Sequence, residues 1–364
     1  MPTMSNRITE SLQPFVDCGV LAGAVTLVAS KTEILALDAV GWSDIAAGRP
    51  MQTDSMFWIA SQSKPMTATI VMMLVDEGRL NLDDPVEKYL PEFKGQMVIA
   101  EQDTEHVLLR KGAHPMTVRE ILSHTSGLPF SSPMEQPTRD RLSLDDAVRS
   151  HAVMPLLTEP GTKYAYSNAG INTAARILEV LTGMSYEDFL DYRLLKPLGM
   201  NDTTFWPSSQ QAARLAKAYK ASADKTHLEE TTATQLHYPL TDRRRQPMPA
   251  GGLFSTASDT VRFCQMILSG GTLDGRRYVS ESAVRQMTTK QTGPAIADEY
   301  GLGFSTAGGT FGHGGAFATN MTIDPVRERI SIYMIQHAGF PGEPEVGAGI
   351  FPAFQQAVKE QFGA

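Results

Sequence analysis

Ser61 and Lys64 stand three residues apart, and Pro65 follows the lysine directly. Proline lacks an N–H and fits an α-helix only in its first turn. Pro65 therefore predicts a helix start at or near Ser61. A side chain there meets unpaired backbone N–H groups and the positive end of the helix dipole, and Lys64 returns to the same face one turn on. A hydroxyl, an amine and free N–H donors are the parts of an acyl-transfer site. Serine becomes a nucleophile when a base takes its proton, and aimed N–H groups steady the oxyanion that follows. The plainer reading is a helix cap beside a surface lysine. Chance alone supports that reading, since Ser222 and Lys225 repeat the spacing in a polar stretch with no helix-starting proline.

Two further clusters keep the first company. Tyr166-Ser167-Asn168 follows Pro160-Gly161 and precedes a helical pattern, which places it in a turn at a helix entrance. Its plain alternative is a core tyrosine with an asparagine cap. Phe311-Gly312-His313-Gly314-Gly315-Ala316 lies just before or at a C-terminal strand, where glycine lets another backbone or a ligand come close. Its alternative is a cluster of loop glycines. These three clusters occur in order with residues 76–86, Leu122-Ser-His-Thr-Ser-Gly-Leu128, Pro197-Leu-Gly-Met200 and Gly251-Gly-Leu-Phe-Ser-Thr-Ala257. Together they resemble the serine β-lactamase and penicillin-binding superfamily, most closely the class C β-lactamases and the related family VIII carboxylesterases, over nearly the whole chain.

The resemblance implies roles. Ser61 is the nucleophile, Lys64 a proton acceptor beside it, and Tyr166 a group that shares the proton and passes it to the leaving alcohol. Asn168 is the asparagine of the Tyr-x-Asn motif. The N–H groups of Ser61 and Ala316 form the oxyanion hole. His313, Gly314 and Gly315 stand where the family has Lys-Thr-Gly, and His313, Gly315 and Phe317 join Asn168 and Ala316 as candidate substrate contacts. Either Lys64 or Tyr166 could be the base in acylation. The family's lysine and hydroxyl grip a substrate carboxylate, and here they become a histidine and a glycine. Gly339 likewise stands where the class C segment has an asparagine. A charge-assisted contact is worth roughly 1.5–3 kcal/mol, so the change disfavours β-lactams and D-Ala-D-Ala peptides, whereas neutral esters lose nothing. Phe317 and Phe130 are candidates for an apolar acyl site, against core packing as the plainer role.

These groups need elements to hold them. Residues 22–30 and 33–42 read as a β-hairpin, and residues 300–306, 316–323 and 329–336 read as strands. An isolated hairpin is marginally stable, so one antiparallel sheet built from both chain ends is expected. Its covers are an amphipathic helix within residues 1–17 and a final helix with Ile350, Phe354, Val358 and Phe362 on one stripe. The middle reads as helices at 63–78, 118–123, 144–157, 170–182 and 186–196, with a small hairpin at 98–109. Residues 241–252 read as a polar loop whose Arg243, Arg244 and Arg245 are solvated. The fold class expected is α+β, β-lactamase/transpeptidase-like, with an antiparallel sheet of about five or more strands flanked by terminal helices, plus a mainly helical region. The expected division is 1–90 and 255–364 for the α/β part and 91–254 for the helical part.

Composition excludes several classes. The 364 residues are 42% hydrophobic and 20% charged, as in a globular protein, and 32 basic against 40 acidic residues give −8, unsuited to nucleic acid. Neither of the two cysteines nor the eight scattered histidines forms a metal motif, and neither metal nor cofactor is expected. No apolar run reaches membrane-spanning length. No secretory leader is visible, which points to the cytoplasm. An α/β-hydrolase is disfavoured because no Gly-x-Ser-x-Gly elbow occurs. The expected activity is hydrolysis of short-chain or uncharged carboxylic esters through an acyl-enzyme, with a small-molecule ester as partner. The alternatives are a β-lactamase or D-amino-acid peptidase of the same fold, and a catalytically silent relative that binds a ligand or serves assembly.

Overall fold

The strand Gly23–Ala29 (β1) is buried at every position, so both faces of its sheet must be covered. In the computed structural model, which describes residues 7–233 and 236–363, Val25, Leu27 and Ala29 enter one apolar cluster and Ala24 and Val28 another. The neighbours are Ile34–Asp44 (β2), Arg49–Pro50 (β3), Phe311–Gly314 (β4), Asn320–Asp324 (β5) and Arg329–Met334 (β6). They form one six-stranded antiparallel sheet in the order β4-β5-β6-β1-β2-β3. The two chain ends meet at β1 and β6, with Val25 opposite Met334.

One face is closed by Arg7–Asp17 (α1) and Pro344–Phe362 (α7), whose Ile8, Leu12, Ile350 and Phe354 pack with Val28 and Tyr333. The other face carries Ser63–Asp76 (α2) and Ala257–Leu268 (α6). Between residues 63 and 74 every side chain of α2 is buried. A helix apolar on all sides belongs at a centre. Its Met66 and Ile70 share one continuous core with β1 and with Asn168–Thr182 (α5), which packs against Val118–Leu122 (α3) and Leu144–Ala152 (α4). The turn carrying Ser61 is therefore anchored on the most enclosed helix of the fold.

Several expectations are corrected. Residues 300–306 make isolated bridges in place of a strand. Gly303 has φ +76° and passes so close to α2 that a Cβ would lie 2.6 Å from Ala68 Cβ and 3.0 Å from Lys64 O. The helix expected over 144–157 stops at Ala152, because Leu156 bridges Val98 beside Pro155. The strand expected at 316–323 is β5, and its first residues instead turn through Gly315–Ala318. Arg245 is not solvated: it is 1% exposed, donates to Phe205 O and lies over the Phe254 ring. Only Arg244, paired with Asp242, and Arg243, over Trp206, remain near the surface of that run. Ser222 and Lys225 occupy a hairpin turn with Lys225 at φ +58°, so the duplicate spacing forms no helical pair.

Candidate active site

Ser61 lies in a single 3-10 turn, Ala60–Gln62, that runs directly into α2. Ala60 before it has φ +45°, a strained setting for a residue with a Cβ. One turn later Lys64 is fully buried, with Nζ 3.0 Å from Ser61 Oγ and donating to Ala250 O at 2.8 Å. Burial pulls the Lys64 pKa well below the ordinary 10.5, and the positive charge of Arg139 lowers it further. A lysine so placed has access to its neutral form, whose lone pair can take a proton.

Tyr166 completes the group. Its ring lies 4.6 Å beneath Lys64 Nζ, and its hydroxyl hydrogen-bonds Ser61. Burial raises the phenol well above its usual value, only partly offset by the Ser61 contact. The phenol therefore stays protonated, and it can relay a proton more readily than wait as a phenolate.

The turn carrying Tyr166 is tied to His124. Ala165 N–H donates to His124 O at 2.8 Å, and Ser167 N–H donates to Nδ1 at 3.2 Å. That bond assigns the neutral Nε2–H tautomer. The imidazole sits 4.5 Å from the Tyr166 ring and 4.6 Å from that of Tyr300. Burial, then the charges of Lys64 and His313, hold its pKa well below normal. Ser167, not Asn168, caps α5, accepting from Gly170 N–H. Asn168 is thus released to line the cleft, and its Oδ1 has no hydrogen-bond partner among the described residues.

Residues 248–253 form the opposite clamp, which the motif reading named only as a landmark at Gly251. Thr67 Oγ1 donates to Pro249 O, Ala250 N–H to Asn172 Oδ1, Trp58 Nε1 to Gly251 O, and Leu253 N–H to Ser63 Oγ. Four anchors on three elements thereby hold the carbonyl that orients Lys64. Asn172 and Trp58 carry no spacing signal that could have revealed them.

From the far end of the chain, Ala316 reaches the wall beside Ser61. Gly315 makes this approach possible: a Cβ there would lie 2.1 Å from Thr319 Oγ1 and 2.6 Å from Ile59 O. Gly315 N–H donates to Thr319 O and Ala318 N–H to Gly315 O, closing a tight turn around Ala316. Gly315→Ala should push this turn off Ile59 and misplace the Ala316 N–H. A fall in kcat of about 10²-fold is expected, with a smaller change in KM, in steady-state kinetics on a chromogenic ester.

His313 is brought to within 6.0 Å of the Tyr166 ring but does not line the cleft around Ser61. Its Nδ1–H donates to Gly314 O at 2.7 Å, and Nε2 accepts from Tyr300 OH at 3.0 Å. Burial, then the Lys64 charge, lowers its pKa to about 3, so the ring is neutral. Phe317 is 7% exposed and packs on Trp58 at 5.2 Å in a small cluster with Met56 and Phe254. Phe130, in contrast, is 42% exposed and lines the cleft together with Arg139, Leu144 and Met248.

The Beta-lactamase family model matches residues 8–350. The chain belongs to the Beta-lactamase family. Among family relatives, protein Rv1367c of Mycobacterium tuberculosis is 31% identical over 369 residues, covering 90% of this chain and 88% of that protein. Esterase EstB of Burkholderia gladioli is 35% identical over 212 residues, 55% of this chain and 50% of that one. The solved structure of EstCE1, described as a hydrolase with promiscuous acyltransferase activity, superposes with a TM-score of 0.80 at 23% identity over 97% and 98% of the two chains. The protein is thus a serine hydrolase of the β-lactamase and penicillin-binding superfamily. Among the described residues no His, Cys, Asp and Glu group could hold a metal ion, and no helix is long and apolar enough to cross a membrane.

Proposed function

We propose that this family member is a serine carboxylesterase acting on short-chain or uncharged esters through an acyl-enzyme on Ser61. One observation carries the reading. Ser61, Lys64 and Tyr166 stand in contact, while the wall that in β-lactamases would grip a carboxylate holds a neutral His313 with both nitrogens already bonded. Neutral Lys64 takes the Ser61 proton as Oγ attacks the ester carbonyl. The N–H groups of Ser61 and Ala316 receive the oxyanion. The carbon–oxygen bond to the alcohol then breaks, and Tyr166 gives its hydroxyl proton to the departing alkoxide while Lys64 restores it. Water attacks the acyl-enzyme under the same base and frees the acid. Lys64 is assigned the proton in acylation because burial favours its neutral form and keeps Tyr166 protonated. Asn168, which lines the cleft with its Oδ1 unpartnered among the described residues, is assigned to contact the bound ester.

The test is a substrate panel of p-nitrophenyl acetate and butyrate, nitrocefin and D-alanyl p-nitroanilide. Ester turnover is expected to exceed nitrocefin and anilide turnover by about 10-fold or more in kcat/KM, as loss of one charge-assisted contact would give. Efficient nitrocefin or anilide cleavage without ester cleavage would replace this reading with a β-lactamase or D-amino-acid peptidase. Failure of a fluorophosphonate to label Ser61 would favour a silent relative.

A further inference from the structure

The landmark segment 122–128 takes no part in the proposed mechanism, yet its His124 is held at a cost. The helix α3 ends at Leu122 with Ser123 as its cap, and His124 follows with φ +60°, a left-handed position where glycine is the usual residue. The ring is wholly buried, and its Nε2–H has no hydrogen-bond partner among the described residues. A strained backbone and an unpaired buried donor persist where the remaining contacts over-determine them.

Those contacts converge on Tyr166. Residues 163–167 have no regular secondary structure, and the N–H groups of Ala165 and Ser167 both go to His124, one to its carbonyl and one to Nδ1. The two fixed amides flank Tyr166, so they set the direction in which its Cα–Cβ bond leaves the chain. The imidazole then meets the Tyr166 ring at 4.5 Å, while Lys64 Nζ lies 4.6 Å from the same ring. Nδ1 accepts a hydrogen bond only in the neutral imidazole, the form that burial favours.

We propose that His124 is a positioning residue for the leaving-group proton, aiming the Tyr166 hydroxyl between Ser61 and the departing alcohol oxygen. This rests on the esterase reading, in which Tyr166 supplies that proton. As the carbon–oxygen bond breaks, its electron pair goes to the alcohol oxygen, which takes the Tyr166 proton. Lys64 then returns to Tyr166 the proton it took from Ser61. An alkoxide is a strong base and leaves slowly unless protonated as it goes, whereas p-nitrophenolate is a weak base and leaves without help. A displaced Tyr166 hydroxyl therefore harms alkyl esters selectively. A histidine that only held the fold together would harm both kinds alike.

The experiment compares ethyl butyrate with p-nitrophenyl butyrate, which form the same acyl-enzyme, by kcat/KM, which reports its formation. His124→Leu should widen the p-nitrophenyl-to-ethyl ratio by about tenfold or more. His124→Asn offers an acceptor oxygen in place of Nδ1 and tolerates the left-handed backbone, so it should keep the ratio near that of the unaltered protein. His124→Gly relieves the strain and removes the acceptor; it should widen the ratio too, and it serves if His124→Leu fails to fold. Tyr166→Phe should also widen the ratio, and adding His124→Leu to it should widen it no further. Equal losses on both esters, or a double variant in which the two widenings multiply, overturn the proposal and leave Tyr166 as the proton donor. An unchanged ratio in Tyr166→Phe overturns donor and positioning together, with ester hydrolysis standing. Turnover of neither ester by the unaltered protein overturns the esterase reading itself.

Discussion

Ser61→Ala should lower kcat/KM for p-nitrophenyl butyrate by at least about 10⁴-fold and abolish labelling by a fluorophosphonate. The size follows from what remains. Without Oγ there is no acyl-enzyme, and residual rate comes only from binding and from the Ser61 and Ala316 N–H groups. Folding should be little disturbed, because Oγ contacts Lys64 and Tyr166 but the turn is held by backbone bonds and by α2. Unchanged thermal unfolding beside lost activity would support the assignment. Retained activity would remove Ser61 from the mechanism.

Lys64→Met carries the second large effect, and it acts in two directions. Activity should fall about 10³- to 10⁴-fold, as expected for loss of a positioned base. Stability at pH 7 should rise instead, by about 2 °C or more in Tm. The folded protein holds a fully buried amine whose pKa is drawn far below 10.5 by burial and by the Arg139 charge. Between that depressed value and 10.5 the unfolded chain binds a proton that the folded one does not. Stability therefore climbs with pH across that interval, and at neutral pH Lys64 subtracts from it. Methionine fills a similar space with no charge to desolvate, so the variant should show a flatter dependence of Tm on pH.

The same depressed pKa sets the sign of the pH–rate profile. Activity should rise with pH as Lys64 loses its proton and then level off. Tyr166 is raised by burial and His313 is neutral above about pH 3, so neither cuts off the plateau at moderately alkaline pH. A profile that falls from pH 6 to pH 9 would contradict Lys64 as the acceptor.

Much of the site was legible in the sequence because its central parts are local. Pro65 forces a helix start, and a helix places Lys64 over Ser61 without reference to anything distant. Tyr166 and Asn168 share one turn for the same reason. The sheet from both chain ends was legible too, since alternation and apolar runs report burial directly. Less visible was which neighbour would use each group. The cap of α5 fell to Ser167, whose hydroxyl accepts from Gly170 N–H and donates to Pro129 O, and the plain alternative of an asparagine cap at Asn168 is not what forms.

What the sequence by itself determined is that Ser61 and Lys64 share one helical turn and that Tyr166 stands at a helix entrance, together with the resemblance that orders the motifs along the chain. Tertiary structure alone decided the surroundings. Nothing local announces that residues 248–253 clamp Lys64, that Arg245 is buried, that His124 ties down the Tyr166 turn, or that His313 turns both nitrogens inward. Each depends on contacts between residues far apart in the chain, and on whether water reaches a group. Burial, not residue type, sets the pKa values of Lys64, Tyr166 and His313, and burial is a property of the packed whole.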